Sequence, residues 1–287
     1  MANVTVETDH LPGHSLEADR VPGHWLLARL GKTVLRPGGR QLTESLLAEL
    51  DVAGSDDVLE LAPGLGSTTE LLLERAPASY TGVDRDPDAA ARVGALANTA
   101  NARVIQGTAA ETGLGDGSVS VAFGEAYLTM QPDRIKARIL DELYRVLEPG
   151  GRVGLHEVLL VPDDIDSDTA EAVRGDLRSS IMVPICPATL AGWTAMVQAA
   201  GFHVDAVHTA PLHLLEPRRL VADEGVRGAA RFVGRVMRDR MARRRVLAMR
   251  SAMRSHSGSL SAFVLTATKP RPSDRTEADP VGVGSGS

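Results

Sequence analysis

The chain has 287 residues and a formal net charge of −6, from 31 Lys and Arg against 37 Asp and Glu. At 43% apolar and 24% charged residues its composition is globular, which excludes wholesale disorder, and the length suits one large domain with embellishments. A single Cys excludes an intrachain disulfide and a cysteine-cluster metal site, while an acidic balance with two Trp, three Tyr and four Phe argues against a nucleic-acid reader built on stacking.

Residues 1–24 read as loop, with LPGH (11–14) echoed by VPGH (21–24). They lack a basic start followed by an apolar run, and no apolar stretch nears the ~18–20 residues that span a bilayer, so no transmembrane segment and a cytoplasmic location are expected. A helix is predicted from Trp25 to Val34, broken by RPGG (36–39), and Leu42, Leu46, Leu47 and Leu50 mark a second at helical spacing. From residue 57 strands and helices alternate: VLELA (58–62), a helix over 68–75, YTGVD (80–84), and a helix over 86–100 with Asp86 as cap and Pro87 at its first position. Strands ARVIQG (102–107) and SVSVAFG (118–124) follow, then an amphipathic helix over 133–147 stopped by EPGG, then RVGLHEVLLV (152–161). This alternation predicts a parallel sheet with helices on both faces. A helix at 190–202 and strands at 204–210 and 261–269 complete the pattern, and residues 271–287 read as a disordered tail.

The decisive segment is VLELAPGLGSTTE (58–70) with GVD (82–84) after it. A glycine-rich bend between strand and helix admits a ligand close to the backbone, and Asp84 at the end of the next strand can accept both hydroxyls of an adenosine ribose. A dinucleotide fingerprint would need glycine where Thr69 stands, and a carboxylate at Glu60 would repel a pyrophosphate. The same carboxylate favours S-adenosylmethionine (SAM), which carries an ammonium and a sulfonium and no phosphate. A P-loop is excluded because no GK[ST] follows the glycines.

Here the sequence resembles the class I SAM-dependent methyltransferases, in particular the small-molecule branch that includes quinone C-methyltransferases and "type 11" proteins. The family's V-L-D-x-G-x-G-x-G is matched by Val58, Leu59, Glu60, Ala62, Gly64 and Gly66, with Ala62 in place of the first glycine. Its G-D-A-x-x-L-P-F-x-D-x-S-F-D segment maps onto 107–120, with Thr108 where an Asp normally meets the adenine amine, and its L-x-P-G-G is LEPGG (147–151). The resemblance implies a three-layer α/β/α Rossmann-like fold with a mostly parallel seven-stranded sheet whose last strand, 261–269, is antiparallel. Residues 1–50 would be a helical cap and 51–270 the methyltransferase domain, with lid insertions at about 163–187 and 211–257. It further implies SAM as cofactor, S-adenosylhomocysteine (SAH) as product, and cofactor contacts from Glu60, Ala62, Gly64, Gly66, Asp84, Arg85, Thr108, Ala109 and Glu125. The substrate pocket would be lined by His24, Trp25, Tyr127, Met130 and Cys186.

Catalytic candidates stand at the ends of the fourth and fifth strands, where such sheets place ligands: Glu125 and His156, with Tyr127 and Glu157 beside them. His10, His14 and His24 sit in Pro-Gly loops without HExxH spacing and read as loop residues, so no metal is expected; Cys186 reads as a small apolar side chain. Segment 218–254 holds 12 Arg against three acids, which leaves about −15 for the remainder. These Arg either pair with the acidic remainder or meet an anionic substrate or lipid surface. The function expected is methyl transfer to a small organic molecule, anionic or hydrophobic, at an O, N, S or C acceptor; the rivals are SAM or adenosine binding without catalysis and a nicotinamide oxidoreductase. Homodimerisation is left open.

Overall fold

The structure is a computed structural model and describes residues 11–14, 16–17 and 19–275. His10 and positions 276–287 of the predicted tail lie outside the described residues. The sheet is built from β1 (Asp57–Leu61), β2 (Ser79–Asp84), β3 (Ala102–Gln106), β4 (Val119–Glu125), β5 (Leu147–Leu160), β6 (Ala188–Thr189), β7 (His203–Pro211) and β8 (Leu260–Thr268). Seven of these lie in the order β3-β2-β1-β4-β5-β8-β7, and the two-residue β6 pairs with the end of β5. The first five strands pair in parallel, while β8 runs antiparallel to both β5 and β7.

Side-chain alternation with period 2 sorts the strands' apolar residues into two cores. Leu59, Leu61, Leu155, Phe263 and Leu265 face α5 (Asp133–Val146) and α7 (Leu190–Ala199). Val58, Val121, Phe123 and Val264 face α2 (Gly39–Leu50), α3 (Ser67–Leu73) and α4 (Pro87–Leu96). Asp86 caps α4 as its sequence suggests, accepting from the Asp88 and Ala89 amides at 3.0 and 3.2 Å.

A third apolar cluster stands apart from the sheet. It joins α1 (Gly23–Arg29) to α8 (Pro217–Arg238) and α9 (Arg240–Ser255) through Leu26, Leu27, Leu30, Phe232, Val236, Val246 and Met249. Next to it α6 (Ser167–Ile181) packs Val173 and Leu177 against Leu160 and Leu260. Three local readings change. The first helix ends at Arg29, not Val34, because Glu224 of α8 takes the Thr33 and Val34 amides at 2.8 and 3.0 Å and draws that segment out of helical geometry. The fifth strand starts at Leu147, whose register with Val119 carries the sheet back through LEPGG. The Arg-rich segment is broken twice: Gly225, at φ 70° and ψ 168°, kinks α8, and Asp239 caps α9 by accepting from the Met241 and Ala242 amides.

Candidate active site

β1 runs into the bend Ala62–Gly66, which opens α3. Ala62, Gly64 and Gly66 have φ of 53°, 58° and 79°, all left-handed. Ala62 holds this conformation against its own Cβ, a strain of roughly 1–2 kcal/mol, while its amide donates to the Val83 carbonyl at 2.8 Å. Gly66 serves packing: a Cβ there would meet Leu96 Cδ1 at 2.4 Å. Gly66→Ala is therefore expected to lose about 1–3 kcal/mol of stability through clash and positive φ, read as a fall in the urea midpoint.

The bend, the ends of β1, β2 and β4, and the α1–α2 segment enclose a cavity of about 640 Å³. Of the carboxylates that line it, Glu60 and Asp84 come from the adjacent strands β1 and β2. Glu60 Oε2 accepts from Thr69 Oγ1 and Tyr80 Oη, both at 2.7 Å, and Oε1 has no donor among the described residues. Burial pushes the Glu60 carboxyl up to about 7, against the pull of those two hydroxyls. Asp84 accepts one backbone amide on each oxygen, Gly64 at 3.1 Å and Asp86 at 2.9 Å, which leaves each oxygen a further lone pair. Burial also raises the Asp84 carboxyl.

The roof is formed by α1. Trp25 Cη2 lies 3.7 Å from where a Cβ would stand on Gly64, so the indole covers the bend. His24 packs on it at a centroid distance of 4.6 Å, and burial, assisted by Arg85, lowers the His24 imidazole to about 4. Among the atoms of the cavity's lining residues, His24 Nδ1, Arg36 Nε and Tyr127 Oη are buried without a protein partner.

Glu125, at the end of β4, is saturated. Oε1 accepts from Thr43 Oγ1 at 2.6 Å and from His156 Nδ1 at 2.7 Å; Oε2 accepts from Arg36 Nη1 at 2.9 Å and from Thr68 Oγ1. The charges of Arg36 and His156 with these hydrogen bonds hold its carboxyl near 2, although burial acts in the opposite sense. His156 is fully buried behind it, and its Nε2 faces the Pro37 carbonyl. Both ring nitrogens thus face acceptors. Next in β5, Glu157 accepts from the amides of Tyr127, Leu128 and Thr129 and from Thr129 Oγ1, between 2.6 and 3.0 Å, which fixes the loop after β4.

A family model for a methyltransferase domain matches residues 58–151. An uncharacterized protein of Haemophilus influenzae is 33% identical over 216 residues, covering 74% of this chain and 84% of the relative. An arsenite methyltransferase of Halobacterium salinarum is 30% identical over 168 residues, 56% of this chain but only 40% of that relative's length. The chain carries a methyltransferase domain over residues 58–151. Its fold recurs in a phosphoethanolamine N-methyltransferase of Haemonchus contortus (TM-score 0.67, 15% identity, 93% of this chain and 61% of that one). It recurs also in a geranyl diphosphate C-methyltransferase of Streptomyces coelicolor (TM-score 0.58, 14% identity, 79% and 77%) and in the [4+2]-cyclase SpnF (TM-score 0.62, 17% identity, 80% of each chain).

Of the residues that the sequence nominates in this methyltransferase, the cavity gathers Glu60, Ala62, Gly64, Asp84, Arg85, Thr108, Ala109, Glu125, His24, Trp25, Tyr127 and Met130. Three stand outside it. Gly66 faces α4, and His156 lies behind Glu125. Cys186 donates its amide to the Thr129 carbonyl at 2.7 Å, while its own carbonyl takes the buried Lys136 ammonium. His14 faces Asp88 at 3.3 Å. Sequence reasoning missed Arg36, Thr43 and Thr68, which converge on Glu125; Arg36 opens the helix-breaking RPGG and carries no other signal in the sequence. It also missed Arg138, a further cavity-lining cation.

Proposed function

We propose that this methyltransferase methylates a small organic molecule that arrives as a ready nucleophile. The observation that carries the proposal is that one cavity is lined both by a carboxylate pair, Glu60 and Asp84, and by Trp25, Leu35, Met130 and Val183, an apolar set beside them. The residues present fit SAM. Glu60 Oε1 would take its ammonium, the free lone pairs of Asp84 its ribose hydroxyls, and the side-chain-free Gly64 a close approach along the backbone. Thr108 and Ala109 would flank the adenine, with His24 and Trp25 over the bend. A cavity of about 640 Å³ is within the range of cofactor sites.

When bound, SAM supplies an electrophilic methyl group on sulfur. The chain's own work is to hold an acceptor in line and to exclude water, effects that together reach roughly 7–11 kcal/mol in favourable cases. Glu125 is a poor proton acceptor at neutral pH, since its carboxyl lies near 2 and carries four donors. His156 has no free nitrogen to offer. We therefore read these two side chains as positioning residues rather than as general bases. Tyr127, whose phenol is pushed well above its usual range by burial, keeps its proton and can donate a hydrogen bond from Oη to a spare lone pair of a thiolate or to a polar atom beside the attacking one. An unprotonated amine or a thiolate suits such a site; an alcohol does not.

The test is SAH formation against a panel of amines, thiols, phenols and quinols. Turnover with the amine or thiol members, with a kcat/KM profile that follows the acceptor's own ionisation, is the expected result. SAH binding with no turnover across the panel would favour binding without catalysis, and NAD binding tighter than SAM would revive a dehydrogenase. Tyr127→Phe is expected to lower kcat/KM about 10- to 100-fold while SAH affinity stays unchanged, by loss of one buried donor.

A further inference from the structure

The Arg-rich hairpin of α8 and α9 has no part in the cavity. Its three acids are all engaged: Asp223 and Glu224 with Lys32, Thr33 and Val34, and Asp239 with the start of α9. Of its 12 Arg, Arg219 pairs with Asp223, and Arg250 and Arg254 pair with Glu216. Arg245 donates to the Val21 carbonyl. The other eight form no ion pair among the described residues.

Val226, Val233 and Met237 follow one another at spacings of seven and four, a single stripe on α8. Met241 and Leu247 continue an apolar presence on α9, and all five are between 43% and 73% exposed. Arg227, Arg231 and Arg238 repeat at spacings of four and seven, about 100° round the same helix, and Arg240 and Arg244 are exposed on α9. An apolar stripe flanked by long unpaired cations matches the boundary of an anionic bilayer, where methyl groups enter the acyl edge and guanidinium groups reach lipid phosphates. No described helix is long and apolar enough to cross a membrane, so the contact is peripheral. The remainder of the chain carries about −15, so the same surface repels it and turns this hairpin inward.

We infer that the exposed α8–α9 face docks on an anionic lipid surface. Nucleic acid would use the Arg but not the bare Val and Met stripe. Flotation with phosphatidylcholine vesicles, with and without 30% phosphatidylglycerol, tests it on the full chain. Binding only to the anionic vesicles, weakened at least tenfold by 0.5 M NaCl, is expected. Arg231→Gln with Arg238→Gln should lower the partition about 10- to 30-fold. Val233→Ser with Met237→Ser should also lower it. Both pairs lie on the exposed face, so SAH affinity and thermal midpoint report intact folding. A fluorophore sensitive to polarity, attached at Met237→Cys in a Cys186→Ser background, should shift to the blue on anionic vesicles. Absence of binding, equal binding to both vesicles, or an unshifted fluorophore overturns the inference. Displacement by poly-glutamate with no fluorophore shift would assign the face to an acidic protein instead.

Discussion

SAH should bind about tenfold more weakly for each pH unit below 7 and level off between pH 7 and 8. The cause is Glu60. Its buried carboxyl titrates near 7 in the empty cavity, and only the carboxylate form can pair with the ligand's ammonium. Binding must therefore expel a proton at lower pH, and calorimetry in buffers of different ionisation enthalpy should count about one at pH 6. Glu60→Gln should lower affinity at pH 8 by about 10- to 100-fold, the worth of a charge-assisted hydrogen bond, and flatten the curve. A wild-type Kd that stays level from pH 5 to 8 would refute the assignment. The same residue acts on folding with a definite sign. Its folded carboxyl lies above the unfolded one, so the native state holds the extra proton. Stability therefore falls as pH rises from about 4.5 to 7, by about 3 kcal/mol. Bound SAM offsets this loss.

Glu125→Ala should produce the largest stability loss of the substitutions considered, about 3–5 kcal/mol. It strands a buried guanidinium, a buried imidazole and two hydroxyls. Urea denaturation reads the effect, and a double cycle with Arg36→Ala should show coupling, because the two side chains stabilise one arrangement. The pH dependence is opposite to that of Glu60. The folded carboxyl lies near 2, below its unfolded value, so its contribution is complete above about pH 4.5 and is lost as pH falls towards 2. A variant with an unchanged urea midpoint and a collapsed kcat would restore Glu125 as a base.

The sheet could be read from the chain because its strands are short apolar runs between helices with period 3.6, and because Asp86, Pro87 and the glycines punctuate them. Glu60 and Asp84 were legible for a different reason: strand ends next to a glycine bend converge in any parallel sheet of this kind. The ties on Glu125 were not legible. Arg36, Thr43 and Thr68 come from a loop and two helices, and no periodicity links them; only the folded sheet brings them within reach of one carboxylate. The surroundings of His156 were not legible either: Glu125 and the Pro37 carbonyl, 31 and 119 positions away, face its two ring nitrogens. The true end of α1 was hidden as well, since Glu224, some 190 positions away, decides it.

That last tie bears on how the cavity opens. The segment after α1 is stitched to α8 by the amides of Thr33 and Val34 and by the fully buried Lys32, and to the sheet by Arg36 and the Pro37 carbonyl. Thr33, Leu35 and Arg36 are part of the cavity wall. Ligand entry therefore cannot be a local flutter of that loop. The Thr33 and Val34 amide protons will trade with deuterium at the pace of α8, and slow further once the cavity is filled.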